Sequence, residues 1–199
     1  MHKNKFFDIK KPTLEDVQEK PSEHFVSKYL VSHYQKIKNL DKELQRLPCS
    51  EEFFFLQSDT SFNAFTFIPL IGQKESITEL YASTYSLSRK VIDALIQLHD
   101  KGIIEQVTLM INDGLIKRNP VTIDYLNALI SSRSNFNVTY SWVHAKVCIC
   151  KTKDNFYTIE GSGNWASNAQ YEQYTFANSK GLFDFRKTLF TESKLRNTN

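Results

Sequence analysis

The segment from His144 to Glu172, HAKVCICKTKDNFYTIEGSGNWASNAQYE, concentrates residues suited to chemistry on a phosphate ester. His144 and Lys146 are two apart in a β-rich run, so in an extended strand their side chains share one face. Ser162 and Asn164 repeat that spacing after the next β-rich run. A hairpin of 144–150 with 156–163 would bring the two pairs together, and Glu172, opening a further strand, could lie alongside. Histidine acts as nucleophile or general acid near neutral pH. Lysine sets a positive charge against phosphate oxygens, and serine and asparagine donate hydrogen bonds to them. Together these stabilise the charge of a phosphoryl-transfer transition state. A carboxylate bonded to the other imidazole nitrogen would fix the tautomer, and Glu172 is the candidate. The set requires neither metal nor cofactor.

The order His144-x-Lys146, then Asp154, Gly161-Ser162-x-Asn164, resembles the signature of the phospholipase D superfamily. Glu172 is similar to the acidic residue that contacts the nucleophilic histidine in that family's small nucleases. The resemblance implies a phospholipase-D-like domain over 51–199 and a metal-independent phosphodiesterase, expected to be an endonuclease on DNA or RNA. His144, Lys146, Ser162, Asn164 and Glu172 would be its catalytic set. Family members assemble their site from two such motifs and this chain carries one. The resemblance therefore implies a homodimer whose motifs face each other across a two-fold axis, with a phosphohistidine formed on one His144. The chain departs from the family at one point: Lys151 stands where the family's aspartate falls, and Asp154 comes three residues later. A longer hairpin turn, KTKDN, accounts for the shift and puts Asp154 outside the catalytic set. Two other outcomes use the same residues: a catalytically silent module that binds nucleic acid or another phosphate ligand, and a phospholipase or phosphatidyltransferase.

The elements that must position these residues follow from periodicity. Residues 1–22 are polar and lysine-rich. In 24–47, Val26, Leu30, Ile37, Leu40, Leu44 and Leu47 recur near helical spacing, which predicts an amphipathic helix ended by Pro48. Residues 1–50 are thus expected to form an amino-terminal helical extension. Strands are predicted at 52–57, 77–87 and 105–112, and 61–71 is apolar enough for helix or strand. Ser88 caps a helix that Gly102 ends, and Pro120 opens another. Four β-rich segments and a tail helix near 181–194 close the chain. The expected fold is α/β, a mixed β-sheet flanked by helices on both faces.

Several residues admit two readings. Trp165 either stacks on a base or packs under its loop. Gly161 and Gly163 shape either a turn or a phosphate pocket. Tyr85 and Ser86, at a strand's carboxyl end, could border the site. Lys117 and Arg118 make a small basic spot: a solvated loop, or a nucleic-acid backbone contact. His2, His24, His33 and His99 are expected to be structural or surface residues.

Composition sets the outer bounds. In 199 residues, 41% are hydrophobic and 24% charged, as in an ordinary globular domain, and the net charge of +3 permits a polyanionic partner without demanding one. The three cysteines imply no disulfide framework, and Cys148 and Cys150 alternate as packed strand residues. No apolar segment has the length of a membrane span or a secretory signal, so a cytoplasmic protein is expected.

Overall fold

The computed structural model describes residues 31–196. In chain order the elements are β1 (Val31–Ile37), α1 (Leu40–Glu43), β2 (Glu52–Ser58), α2 (Phe67–Gly72, entered through a 3-10 turn at Ala64–Thr66) and β3 (Ile77–Thr84). Next come α3 (Arg89–Asp100), β4 (Ile104–Asn112), α4 (Gly114–Arg118), α5 (Pro120–Ile130) and β5 (Phe136–Ser141). The hairpin β6 (Val147–Lys151) and β7 (Phe156–Gly161) follows, then β8 (Gln173–Asn178) and α6 (Lys180–Arg196).

The eight strands form one sheet in the order β1-β2-β8-β7-β6-β3-β4-β5. The pairs β1–β2, β3–β4 and β4–β5 are parallel, and the rest are antiparallel. The central strands β4 and β6 carry near-continuous apolar runs because both faces are covered, and successive residues alternate between two cores. Val107, Leu109 and Ile111 of β4 join Cys148 and Cys150 of β6 in a large core with α2, α3 and α5. Met110, Val147 and Ile149 point the other way, into a smaller core closed by Phe183 and Phe190 of α6. The fold is therefore α/β, a mixed sheet with helices on both faces.

Local signals explain the helix starts. The Ser88 side chain accepts a hydrogen bond from the Val91 amide at the head of α3, and Asn119 does the same for Thr122 in α5, where Pro120 occupies the first turn. Gly102, with φ of +70°, closes α3 in the left-handed region. Within 61–71, open to either reading, Ala64–Thr66 form a 3-10 turn and the residues from Phe67 on are α-helical.

The helix expected over 24–47 is corrected for 31–37. That segment is β1, paired residue for residue with β2 from Val31↔Glu52 to Ile37↔Ser58, and only the single turn α1 is helical beyond it. Residues 31–37 carry valine and isoleucine among polar residues, a pattern that serves an edge strand as well as a helix. Non-local pairing with β2 overrides the helical spacing. Leu40, Leu44 and Leu47 are buried against the larger core, so the apolar stripe is used without a continuous helix. The part of the expected helix before residue 31, together with His2 and His24, lies outside the described residues.

Candidate active site at one end of the sheet

The carboxyl ends of β3, β4, β5 and β7 and the amino ends of β6 and β8 meet at one edge of the sheet. The β6–β7 pairing sets Val147 opposite Glu160, and the Gly161 amide reaches the Lys146 carbonyl at 3.3 Å. His144 and Lys146 therefore stand beside Gly161 and Ser162. They occupy the extended segment leading into β6 and not the strand itself. Their side chains nonetheless meet: Lys146 Nζ is 3.1 Å from His144 Nδ1 and 2.9 Å from the His144 carbonyl oxygen. Nζ is also 3.4 Å from Nε2, so the ammonium sits against the imidazole ring as a whole. Burial lowers the Lys146 pKa, and the Glu172 charge opposes that shift.

Buried polar residues at the strand ends hold this segment. The Ser83 hydroxyl, on β3, donates to the Ala145 carbonyl at 3.0 Å and accepts from the Val147 amide at 3.2 Å. Asn112, ending β4, donates from Nδ2 to the Val143 carbonyl at 2.8 Å. Its Oδ1 accepts from the Gly114 amide and from Arg118. Tyr85, just past β3, lies against His144 with ring centroids 4.9 Å apart. The Arg118 guanidinium sits 4.1 Å from the centre of the same ring, and Lys146 Nζ 5.8 Å from it.

The second half of the motif is fixed from β2, β3 and β8. Thr84 Oγ1 accepts from the Trp165 amide at 3.2 Å, and the Ser88 amide donates to the Trp165 carbonyl at 3.0 Å. Trp165 is buried edge-on to Phe65, so its indole packs under the loop and offers no stacking face. Asn168 clamps Asn164, accepting from its amide at 2.8 Å and donating to its carbonyl at 2.9 Å. The Asn164 Oδ1 is buried with no hydrogen-bond partner among the described residues. A Cβ at Gly161 would overlap the Gln173 carbonyl, and one at Gly163 would overlap the Tyr174 hydroxyl. Both glycines therefore serve the close passage of β8.

Glu172 departs from the expected role. Its carboxylate accepts from the Ser162 hydroxyl and, at 3.3 Å, from the Ala169 amide, and no hydrogen bond joins it to His144 among the described residues. It immediately precedes β8, where the Glu172 amide donates to the buried Ser58 hydroxyl at 2.8 Å. Asp154 lies exposed in the hairpin turn, at the opposite end of β6–β7 from His144. At the family's aspartate position Lys151 pairs with Glu79 at 3.0 Å, and Lys187 holds the same carboxylate at 2.7 Å.

No protein-family model and no curated protein matches the sequence. The fold is similar to the solved structure of TrmBL2, an archaeal chromatin protein. The TM-score is 0.50 at 11% identity, over 77% of this chain and 55% of that one. The chain thus spans little more than half of that protein's length, and at this identity the likeness concerns the fold alone.

Around the motif, a surface cavity of about 770 Å³ opens beside Lys146, Gly161 and Tyr174 and extends to the Glu160–Arg186 ion pair. Lys146 and Arg118 have no carboxylate within ion-pair distance among the described residues, and Glu172 acts on Lys146 only from further away. No cluster of three His, Cys, Asp or Glu side chains is arranged as metal ligands would be, again among the described residues. Cys148 and Cys150 are buried free thiols 4.0 Å apart, and desolvation pushes the Cys148 pKa up. Among the described residues no helix is long and apolar enough to cross a membrane. His99 packs on Phe136 and bonds Asn135, a structural role as expected.

Sequence reasoning missed Ser58, Ser83, Thr84 and Asn112. The available signal was position: each is a polar residue ending a largely apolar run that the sheet carries to the motif's edge.

Proposed function

We propose that this chain is a metal-independent phosphodiesterase of phospholipase D type that acts on nucleic acid. One observation carries the reading: the β6–β7 hairpin sets His144 and Lys146 beside Gly161 and Ser162, at an end of the sheet where Lys146 and Arg118 have no carboxylate in ion-pair contact among the described residues. In the proposed reaction a His144 ring nitrogen attacks phosphorus and the P–O bond to the leaving group breaks. His144 of a second copy, protonated, gives its proton to the departing oxygen. Water then attacks the phosphohistidine, returns a proton to the second imidazole and breaks the P–N bond. Lys146 and Asn164 steady the charge on the non-bridging oxygens. Two copies are needed because one chain supplies one imidazole of this type, which makes a homodimer part of the proposal.

A nuclease assay in EDTA on single- and double-stranded DNA and RNA tests this. Cleavage by the native chain that is lost in His144→Ala, with label retained on a trapped phosphohistidine, is the expected result. No cleavage of any substrate, or equal cleavage by both proteins, overturns it. Static light scattering should give twice the chain mass at micromolar concentration, and a strict monomer removes the two-copy mechanism.

A second reading is favoured by the bond from Ser162 to Glu172, which leaves the imidazole without the expected carboxylate. In it the chain binds nucleic acid without cutting. The solved structure of TrmBL2 is described as showing a mode of DNA binding, which lends that reading some support. Binding that weakens steeply with salt, with no cleavage, is its signature.

A further inference from the structure

Beside the motif, Arg118 and Trp142 stand apart from every role assigned above. Arg118 ends α4 and is exposed, yet its guanidinium is not loose. It stacks on Tyr85 and donates to the Tyr85 carbonyl and to Asn112 Oδ1, each at 3.3 Å. Asn112 in turn holds Val143, next to His144. One aromatic ring and one amide thus tie Arg118 to the same support as His144 and Lys146. Nε also donates to the Gly114 carbonyl at 3.3 Å, which leaves the Nη1 N–H groups, with no carboxylate in range among the described residues. A fixed guanidinium without a carboxylate partner beside a phosphate site favours a second phosphate, held through Nη1 by charge and hydrogen bonding.

Trp142 adds an independent feature. It follows β5, between Ser141 and Val143, and is 90% exposed. Its indole thus offers both an apolar face and a polar N–H to a ligand. Its backbone is not loose either, because the next residue's amide donates to the Ser141 carbonyl at 2.8 Å and the next residue's carbonyl accepts from Asn112. An exposed indole two residues from His144, on a segment tied through Asn112 to Arg118, matches how proteins hold unpaired nucleotides, with charge on the backbone and stacking on the base. A base inside a duplex already has both faces covered.

We propose that Arg118 and Trp142 form a subsite for single-stranded nucleic acid, in which Arg118 clamps a phosphate flanking the scissile one and Trp142 stacks an unpaired base. The proposal rests on the nucleic-acid reading above but not on cleavage. The test measures fluorescence anisotropy of labelled oligothymidylate, and of a duplex of equal length, in a His144→Ala background across a salt series. Arg118→Ala should make the slope of log affinity against log salt shallower by about 0.7, and Arg118→Lys should keep the slope. Trp142→Ala should weaken single-strand binding by about 5- to 100-fold with the slope unchanged, while Trp142→Phe retains most of the affinity. Duplex affinity should not respond to Trp142. Unchanged affinity and slope in both alanine variants, an equal loss for duplex, or no binding by the parent overturns the subsite. Cleavage is scored separately in the chain with His144 intact. These binding dependencies without cleavage end the nuclease reading and leave the subsite standing. Cleavage with binding indifferent to both variants does the reverse.

Discussion

The Lys146 ammonium lies 3.1 Å from His144 Nδ1, so the motif's cation and imidazole form one unit before any phosphate arrives. In the reaction proposed above, Lys146 would exchange its contact with the imidazole for an anionic oxygen, a stronger, charge-assisted bond. Lys146→Met should therefore lower kcat for phosphodiester cleavage by about a hundred- to a thousand-fold. Single-turnover kinetics at saturating oligonucleotide checks this, and a change confined to KM would show that the ammonium only binds.

Ser83 is the second prediction. Its hydroxyl satisfies both the Ala145 carbonyl and the Val147 amide where no water reaches. Ser83→Ala leaves both groups unpaired and should cost about 1–3 kcal/mol in urea unfolding. Activity should fall as well, because the segment bearing His144 loses its tie to β3. An unchanged midpoint would mean that the segment is held elsewhere.

Gly163 gives a paired test. Gly163→Ala drives a methyl into the Tyr174 hydroxyl, which has no hydrogen-bond partner among the described residues, and should destabilise by about 1–3 kcal/mol. Tyr174→Phe removes the oxygen and should recover part of that loss in the double variant. Additive losses would argue against the contact.

The fourth prediction concerns acid. Burial would raise the Glu79 pKa, but hydrogen bonds from Lys187, Lys151 and Tyr81 outweigh it and bring the carboxyl from 4.5 to about 2. A carboxylate depressed in the fold stabilises it above its unfolded value and loses that contribution as pH falls through the folded value. Stability should decline between about pH 4.5 and 2, by up to about 2–3 kcal/mol from this group. Glu79→Gln should flatten that part of the profile in thermal melts, and an unaltered profile would assign the acid sensitivity to other groups.

Much of the framework could be read from local signals. Ser88 and Gly102 bracket α3, Asn119 and Pro120 open α5, and the alternation through Cys148 and Cys150 marks β6. The juxtaposition of His144 and Lys146 with Ser162 followed from hairpin pairing, which is local in sequence. What escaped is non-local. Residues 31–37 are a strand because β2 offers them an edge, and nothing within the segment encodes that edge. Glu172 bonds Ser162 because Ser58, far away in the chain, anchors its backbone at 2.8 Å. Trp165 is buried where it bridges to Leu87, in the connection between β3 and α3.

The place of the hairpin in the strand order has a further consequence. β7 and β6 stand fourth and fifth in a sheet of eight, flanked by paired strands on both sides. Fraying spreads inward from the outer strands, which among the described residues are β1 and β5, so the amides of Val147 and Gly161 should exchange with solvent among the slowest of those residues. The end of the sheet that carries His144 and Ser162 is thereby insulated from its margins. Segments beyond β1 can lengthen, recruit a partner or be replaced while the distance between His144 and Ser162 stays the same.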